Sequence, residues 1–493
     1  MAVSHKWSPI EDVPDAAALS DGELPALIEV WKDQGGALAE PGAVSKFSEQ
    51  LNREWAIETG IIERAYTLDR GTTETLIEKG IEASLIPRSS TDRDPQEVAA
   101  ILQDHLDALE GMFAFVKGER ELTVGYIKEL HSALLRHVEV HVVQDPSGKL
   151  FEVPLERGAY KRLPNNPARA DGTVHEYCPP EHVASEMDRL IEIHQKHVQA
   201  NLPPEVQAAW LHHAFTQIHP FADGNGRVAR TLASLVFVKA GGFPLVIRRD
   251  EPDRGVHDRT LYIEALEKAD KRDFLRLVQF FVRAERRVLI QALQALPRAA
   301  AVAGAKDAHT PEEVIAGIRE LLISRGDEQV FPKRWEAVAG PRVAVRDQAY
   351  DRLGQVAGSL LDEITRFKSE FRFSLLAPTD TRDIDDAMKS IRTVADAFGY
   401  ELTSQGTPPD VRGLRIEPGP YRIIFALHGA SRSYRGVVAG LLAFVSPDGT
   451  AVSVTNDILQ LNYKETQAAV IGRFSKWFET GLTRALEMWR AQF

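Results

Sequence analysis

Apolar residues recur along most of this chain at the three- and four-residue steps of an α-helix, and the pattern breaks in only a few places. Phe47, Leu51, Trp55, Ile62 and Tyr66 form one stripe, which predicts an amphipathic helix carrying Glu58 on the same face. Residues 122–135 set Ile127, Leu130 and Leu134 on one side of a second helix. Pro203-Pro204 opens a third, whose Val206, Trp210, Ala214 and Ile218 face one way and which His219-Pro220 ends. A fourth is expected from about Gly226 to Lys239, with Gly241-Gly242 as its stop.

The breaks are as informative as the helices. Residues 138–180, rich in Pro, Gly and Asn, read as short strands and loops. Thr310-Pro311-Glu312-Glu313 combines a cap, a proline at the first helical position and a glutamate at the third, with Gly326 as a stop. From about Leu414 the period becomes strand-like. Residues 421–427 and 437–445, the turn Ser446-Pro447-Asp448-Gly449 and residues 451–454 predict a small antiparallel sheet. Ile471, Phe474, Phe478, Leu482 and Trp489 predict a closing helix. The expected fold is therefore mainly α. A helical region at 1–110 precedes a helical core at 111–297, and a smaller α+β domain follows at 298–493. Small residues at 297–305 mark the last boundary, as a linker or an alanine-rich helix end.

Composition narrows the function classes. At 493 residues the chain exceeds what one core usually serves, and 44% hydrophobic with 26% charged residues is a globular balance. The 59 basic residues against 71 acidic ones give −12, which argues against nucleic acid or a membrane surface as a bulk partner. Arg415, Arg422, Arg432 and Arg435 read as scattered solvated charge. No charged-then-apolar leader and no run of about 18 apolar residues is present, so a cytoplasmic location is expected. Cys178 is the single cysteine, which excludes an intramolecular disulfide or a cysteine cluster and reads as a small apolar filler.

The chemistry is concentrated in residues 219–230, His-Pro-Phe-Ala-Asp-Gly-Asn-Gly-Arg-Val-Ala-Arg. An Asp-Gly-Asn-Gly run between two helices leaves backbone N–H groups at the positive end of the second, with glycines letting a ligand approach the main chain. That arrangement suits phosphate. Asp223 is a hard oxygen ligand of the kind Mg²⁺ takes, and Asn225 is expected to add a side-chain donor to a phosphate oxygen. Arg227 and Arg230 share a helix face and can grip phosphate, while His219 is the nearby group suited to take a proton from a hydroxyl. Phe221 is expected to anchor the loop, and His212 and His213 read as ordinary helix residues.

This run resembles the signature of the Fic family, His-Pro-Phe-x-(Asp/Glu)-Gly-Asn-Gly-(Lys/Arg)-x-x-Arg, at every specified position. The resemblance extends to residues 122–135, to Gly158-Ala159-Tyr160-Lys161, and to residues 177–183. It implies a helical core with a β-hairpin flap at 161–177, and transfer of AMP from ATP to a Ser, Thr or Tyr hydroxyl of a protein target, the chain itself included. By position His219 is then the base, Asp223 the Mg²⁺ ligand, Gly224, Asn225 and Gly226 the anion hole, and Arg227 and Arg230 phosphate contacts. Many members carry an inhibitory helix with the pattern (Ser/Thr)-x-x-x-Glu-(Gly/Asn), whose glutamate pairs with the second motif arginine. Glu54-Trp55-Ala56-Ile57-Glu58-Thr59-Gly60 is similar but departs at both ends. On that resemblance, and because Glu58 points along an apolar face and needs a cation, Glu58 is expected to pair with Arg230. Two alternatives remain: a hydrolase removing AMP at the same site, and a nucleotide-sensing docking protein without enzymatic activity.

Overall fold

A computed structural model of the protein describes residues 3–38, 43–144, 150–167, 172–250, 257–303, 336–364, 366–376, 381–398, 409–429 and 436–493, with residues 310 and 402 between them. They divide into two compact units. Met1–Ser20 joins Ser45–Arg286, and Asp21–Val44 joins Arg287–Phe493.

The first unit is mainly helical. After strand β1 (Val3–His5) and the short α1 (Ala16–Leu19), it contains α3 (Ala43–Ile62), α4 (Arg70–Lys79), α5 (Pro95–Lys117) and α6 (Val124–Leu134), with α2 (Glu23–Leu38) assigned to the second unit. Strands β2 (Val140–Gln144), β3 (Leu150–Pro154) and β4 (Val174–His175) lead to α7 (Val183–Gln199), α8 (Pro204–Ile218), α9 (Asn225–Ala240), α10 (Asp258–Ala269) and the start of α11 (Leu275–Ala303). β2 and β3 form an antiparallel hairpin, and β4 pairs in parallel with β1.

Packing follows from the apolar faces. In α6 the Thr123 side chain caps the Tyr126 N–H, and Ile127, Leu130 and Leu134 are buried as the spacing predicts. α8 is buried nearly all round, which marks it as the central helix rather than a surface one. It packs on α9 and α7, and α5 and α6 close over α9. Ala208, Ala209, Ala229 and Ala233, each 0% exposed, let these backbones come close. α3, α4 and α5 share a second core of Ile57, Leu76, Val98, Ile101 and Leu102. Tyr66, expected on the helical stripe, lies beyond the end of α3. The chain turns back there, and the Tyr66 hydroxyl donates to the Ile57 carbonyl at 3.0 Å.

The second unit holds a sheet in the order β10-β8-β7-β6-β5, from β5 (Arg372–Leu376), β6 (Asp410–Glu417), β7 (Tyr421–Gly429), β8 (Val437–Val445) and β10 (Leu459–Asn462), with β9 (Ala451–Ser453) pairing with β8. Phe425, Leu442 and Phe444 pack on one face against α12 (Ala339–Ile364) and α14 (Gln467–Arg490), through Leu353, Phe474, Phe478 and Trp489. α13 (Thr381–Ala397) contacts β7, β8 and β9. Arg415 and Arg422 are cross-strand partners, while Arg432 and Arg435 lie outside the described residues. The helix expected from Thr310-Pro311 to Gly326 lies, past Thr310, outside the described residues too. Residues 297–303 continue α11 as a helix rather than a linker. Among the described residues no helix is long and apolar enough to cross a membrane.

Candidate functional site

The 219–230 run comprises the turn from α8 to α9, residues 219–224, and the first six residues of α9. His219 caps α8 in the left-handed region, φ 49°, a costly conformation for a side-chain-bearing residue, and its N–H donates to Phe215 O at 2.9 Å. Its Nδ1 faces the Thr216 carbonyl at 3.2 Å. A carbonyl only accepts, so Nδ1 carries the proton and Nε2 presents a lone pair. Burial, with the Lys161 ammonium nearby, pushes the His219 pKa down to about 3, so the ring is neutral at ordinary pH. Tyr177 stacks on it, centroids 3.8 Å apart and planes within 4°.

The loop is held from behind. Phe221 is 0% exposed and stacks on His131 at 3.9 Å. His131 accepts the Gly158 N–H at Nδ1 and donates from Nε2 to the Asp223 carbonyl, which fixes its tautomer. Lys161, 5% exposed, hydrogen-bonds Asn165 through Nζ, and its N–H donates to Pro220 O at 2.8 Å. Burial lowers its pKa to about 8. The Cys178 thiol, buried, is pushed up to about 12. His131 and Asn165 were not singled out by sequence, because neither belongs to the contiguous run.

Asn225 departs from expectation. Its Oδ1 accepts the Phe221 N–H at 2.9 Å and its Nδ2 donates to Phe221 O at 2.8 Å, so the side chain zips the loop rather than offering a donor to phosphate. What remains for an anion is backbone and arginine. Gly224 sits at φ 76° as the cap of α9, where a Cβ would also lie 2.6 Å from Leu135. Asp223 is 42% exposed; its Oδ1 accepts the Gly224 N–H at 2.6 Å and its Oδ2 lies 3.2 Å from Arg227 Nη2. Arg227 is 3% exposed, yet its Nε and Nη1 have no hydrogen-bond partner. Two buried nitrogens left open on a cation, at the positive end of a helix, could hold an anion.

The second arginine is already engaged, and by an unexpected residue. Arg230, 1% exposed, donates from Nη1 to Glu63 Oε1 at 2.7 Å and from Nη2 to the Thr59 carbonyl at 3.0 Å. The same Glu63 carboxylate stands against Gly226, where a Cβ would come within 2.2 Å of its Oε1. Glu58, expected on Arg230, is instead held by Arg249. Its Oε1 takes Nε at 3.0 Å and Nη2 at 2.8 Å, and its Oε2 takes the Arg249 N–H at 2.8 Å. Burial raises the Glu58 pKa against the opposing pull of Arg249. Glu54 pairs likewise with Arg248 at 2.6 Å.

The helix end explains the difference. α3 stops at Ile62, and Arg64 at φ 56° takes the left-handed position that glycine or asparagine usually fills. Glu63 thus leaves the helix toward α9. Thr59-Gly60-Ile61-Ile62-Glu63 meets the Ser/Thr and Glu positions of the inhibitory pattern, and Arg64 replaces its Gly/Asn. The Thr59-to-Glu63 spacing was the available signal, hidden by that arginine.

Residues 121–237 match the Fic/DOC family. The chain is 28% identical over 158 residues to the protein adenylyltransferase Fic of Drosophila willistoni, covering 32% of this chain and 27% of that protein. It is 27% identical over 171 residues to the namesake in Drosophila ananassae, covering 35% and 30% respectively. The match thus spans about a quarter to a third of the length of these relatives. A Fic-domain signaling protein from Bacteroides thetaiotaomicron superposes with TM-score 0.43 at 25% identity, over 56% of this chain and 97% of that one. The chain thus carries a match to the Fic/DOC family at residues 121–237.

Proposed function

We propose that this chain is a protein adenylyltransferase, moving AMP from ATP to a Ser, Thr or Tyr hydroxyl of a protein, and that Glu63 restrains it. The observation that carries this reading is the buried Arg227 guanidinium, with Nε and Nη1 unpartnered at the N-terminus of α9, in the same turn as a neutral His219. Phosphates of ATP fit that cation and the amides around Gly224–Gly226. In the transfer, the target hydroxyl oxygen bonds to the α-phosphorus and its proton passes to His219 Nε2. The bond from the α-phosphorus to the bridging oxygen breaks, and diphosphate leaves with the electron pair. Asp223, half-exposed and carrying a carboxylate, fits a Mg²⁺ ion, which when bound supplies charge neutralisation for the phosphates. The similarity to proteins named protein adenylyltransferase Fic supports the same reading.

Glu63 supports the regulatory half. Its carboxylate occupies Arg230 and the space at Gly226, where a phosphate oxygen needs to be. The test is incubation of wild type, Glu63→Gly and His219→Ala with α-phosphate-labelled ATP and Mg²⁺, alone and with cell extract. Protein-bound label that rises in Glu63→Gly and vanishes in His219→Ala is expected. No label in any variant overturns the transferase reading. Release of AMP from a modified protein by wild type but not by Glu63→Gly would assign the hydrolytic removal of AMP, with water as the attacking group.

A further inference from the structure

Away from the phosphate cradle, the first unit brings together His5, His175 and Asp270, residues separated by 170 and 95 positions in sequence and therefore without any local motif spacing. We propose that they form a binding site for a divalent transition-metal ion of the zinc type. One ligand atom from each lies within 4.8 Å of the other two. Two imidazoles and a carboxylate are the donor set of three-ligand zinc sites, which leave a fourth position to water. Hard ions such as Mg²⁺ and Ca²⁺ prefer all-oxygen sets, so the site differs in kind from the one at Asp223.

Each ligand is positioned by something other than the metal. His5 and His175 are register partners in the parallel pairing of β1 with β4, which stacks their rings with centroids 4.5 Å apart and planes within 18°. The Glu176 N–H donates to the His5 carbonyl at 2.9 Å and extends the ladder. Asp270 ends α10, and its two oxygens have different duties. Oδ1 accepts from His213 Nε2 at 3.0 Å and from Gln217 Nε2 at 2.6 Å, both on α8. Oδ2 faces His175 Nδ1 at 3.9 Å. A ligating carboxylate whose other oxygen is fixed by hydrogen bonds is the usual outer arrangement of a metal site. Tetrahedral zinc places donors about 3.3 Å apart, so side-chain rotations moving each ligand atom by about 1 Å complete the geometry.

The arrangement also answers a structural question. The arm at residues 3–13 is tied to the helical core at Ile10, whose N–H donates to Glu186, at Glu11, whose carbonyl accepts from Trp210, and at Asp12, which meets His197. Beyond those ties β1 is three residues long, and so short a parallel pairing is weak alone. A metal ion shared by His5, His175 and Asp270 clamps the arm to β4 and to α10. Tyr177, two residues from His175 and in contact with its ring, stacks in turn on His219, so the clamp fixes the segment that orients the base.

The test uses the full chain stripped with a chelator and titrated with Co²⁺, followed by its visible absorption, and with Zn²⁺ in competition with a chromophoric chelator. Wild type, His5→Ala, Asp270→Asn and Asp223→Ala are compared, with circular dichroism confirming that each is folded. One equivalent per chain is expected, with a tetrahedral-type cobalt spectrum. Affinity should fall more than about tenfold in His5→Ala and Asp270→Asn and persist in Asp223→Ala. Absence of binding in folded wild type overturns the proposal. So does binding that survives both ligand substitutions or disappears in Asp223→Ala.

Discussion

Replacing Glu63 with glycine separates the two halves of the functional reading. The carboxylate makes one charge-assisted hydrogen bond, 2.7 Å, to a guanidinium that is 1% exposed. Such a bond contributes roughly 1.5–3 kcal/mol, and on the proposed reading ATP has to displace it before a phosphate reaches Arg230. At about 1.4 kcal/mol per factor of ten, that competition lowers the competent fraction by about 10- to 150-fold. Glu63→Gly should therefore raise the initial rate of labelling by that range when ATP is below saturation, and by less as ATP saturates. The variant also leaves Arg230 with only neutral partners, the Thr59 carbonyl and the Tyr262 hydroxyl, so it should melt earlier without nucleotide and recover more than wild type when ATP is added. Glu58→Gly provides the contrast. It removes a carboxylate from Arg249 and should destabilise the fold by about 3–5 kcal/mol while leaving Arg230 occupied. A labelling rate in Glu63→Gly within twofold of wild type, or a rise in Glu58→Gly alone, would refute the reasoning.

Three other outcomes follow from the same contacts. Asn225→Ala strips the buried Phe221 N–H of its acceptor and should cost about 1–3 kcal/mol in denaturant unfolding; a loss below about 0.5 kcal/mol would deny the zipping role. His219 should show no imidazole titration in NMR between pH 5 and 8, because burial holds its pKa near 3; a titration near pH 6.5 would contradict the assigned environment. Glu285, fully buried with one hydrogen bond from the Phe243 N–H, has its pKa raised by burial from 4.5 to about 8. The folded state then holds that proton more tightly than the unfolded state. Stability is highest below about pH 4.5 for this group and declines as pH rises toward 8, by on the order of 4–5 kcal/mol at 1.36 kcal/mol per unit. Glu285→Gln should flatten that slope in thermal melts taken from pH 5 to 8, and an unchanged slope would place the burden on another group.

How far the sequence carried depended on whether the physics was local. The helices around the site were legible because Ile127, Leu130 and Leu134, and Val206, Trp210, Ala214 and Ile218, repeat at helical steps and are buried as such. The 219–230 run was legible because its chemistry is contiguous. The strands β7 to β9 showed through their turn, but β10 is buried at every residue and has no alternation to read. The partner of an acidic side chain is a different kind of question. Glu54, Glu58 and Glu63 face Arg230, Arg248 and Arg249, and nothing local to any of them decides which meets which. The decision lies in where α3 ends. Five residues turn a helix by about 140° beyond a full turn, so Glu58 and Glu63 point to different neighbours even though both lie near one helix end. Glu58 looks toward the segment after α9 and becomes a structural staple with Arg249; Glu63, released by the left-handed Arg64, reaches the N-terminus of α9. The proposed restraint therefore requires the helix to stop at Ile62, and one more turn of regular helix would carry Glu63 away from Gly226 while leaving its charge unchanged.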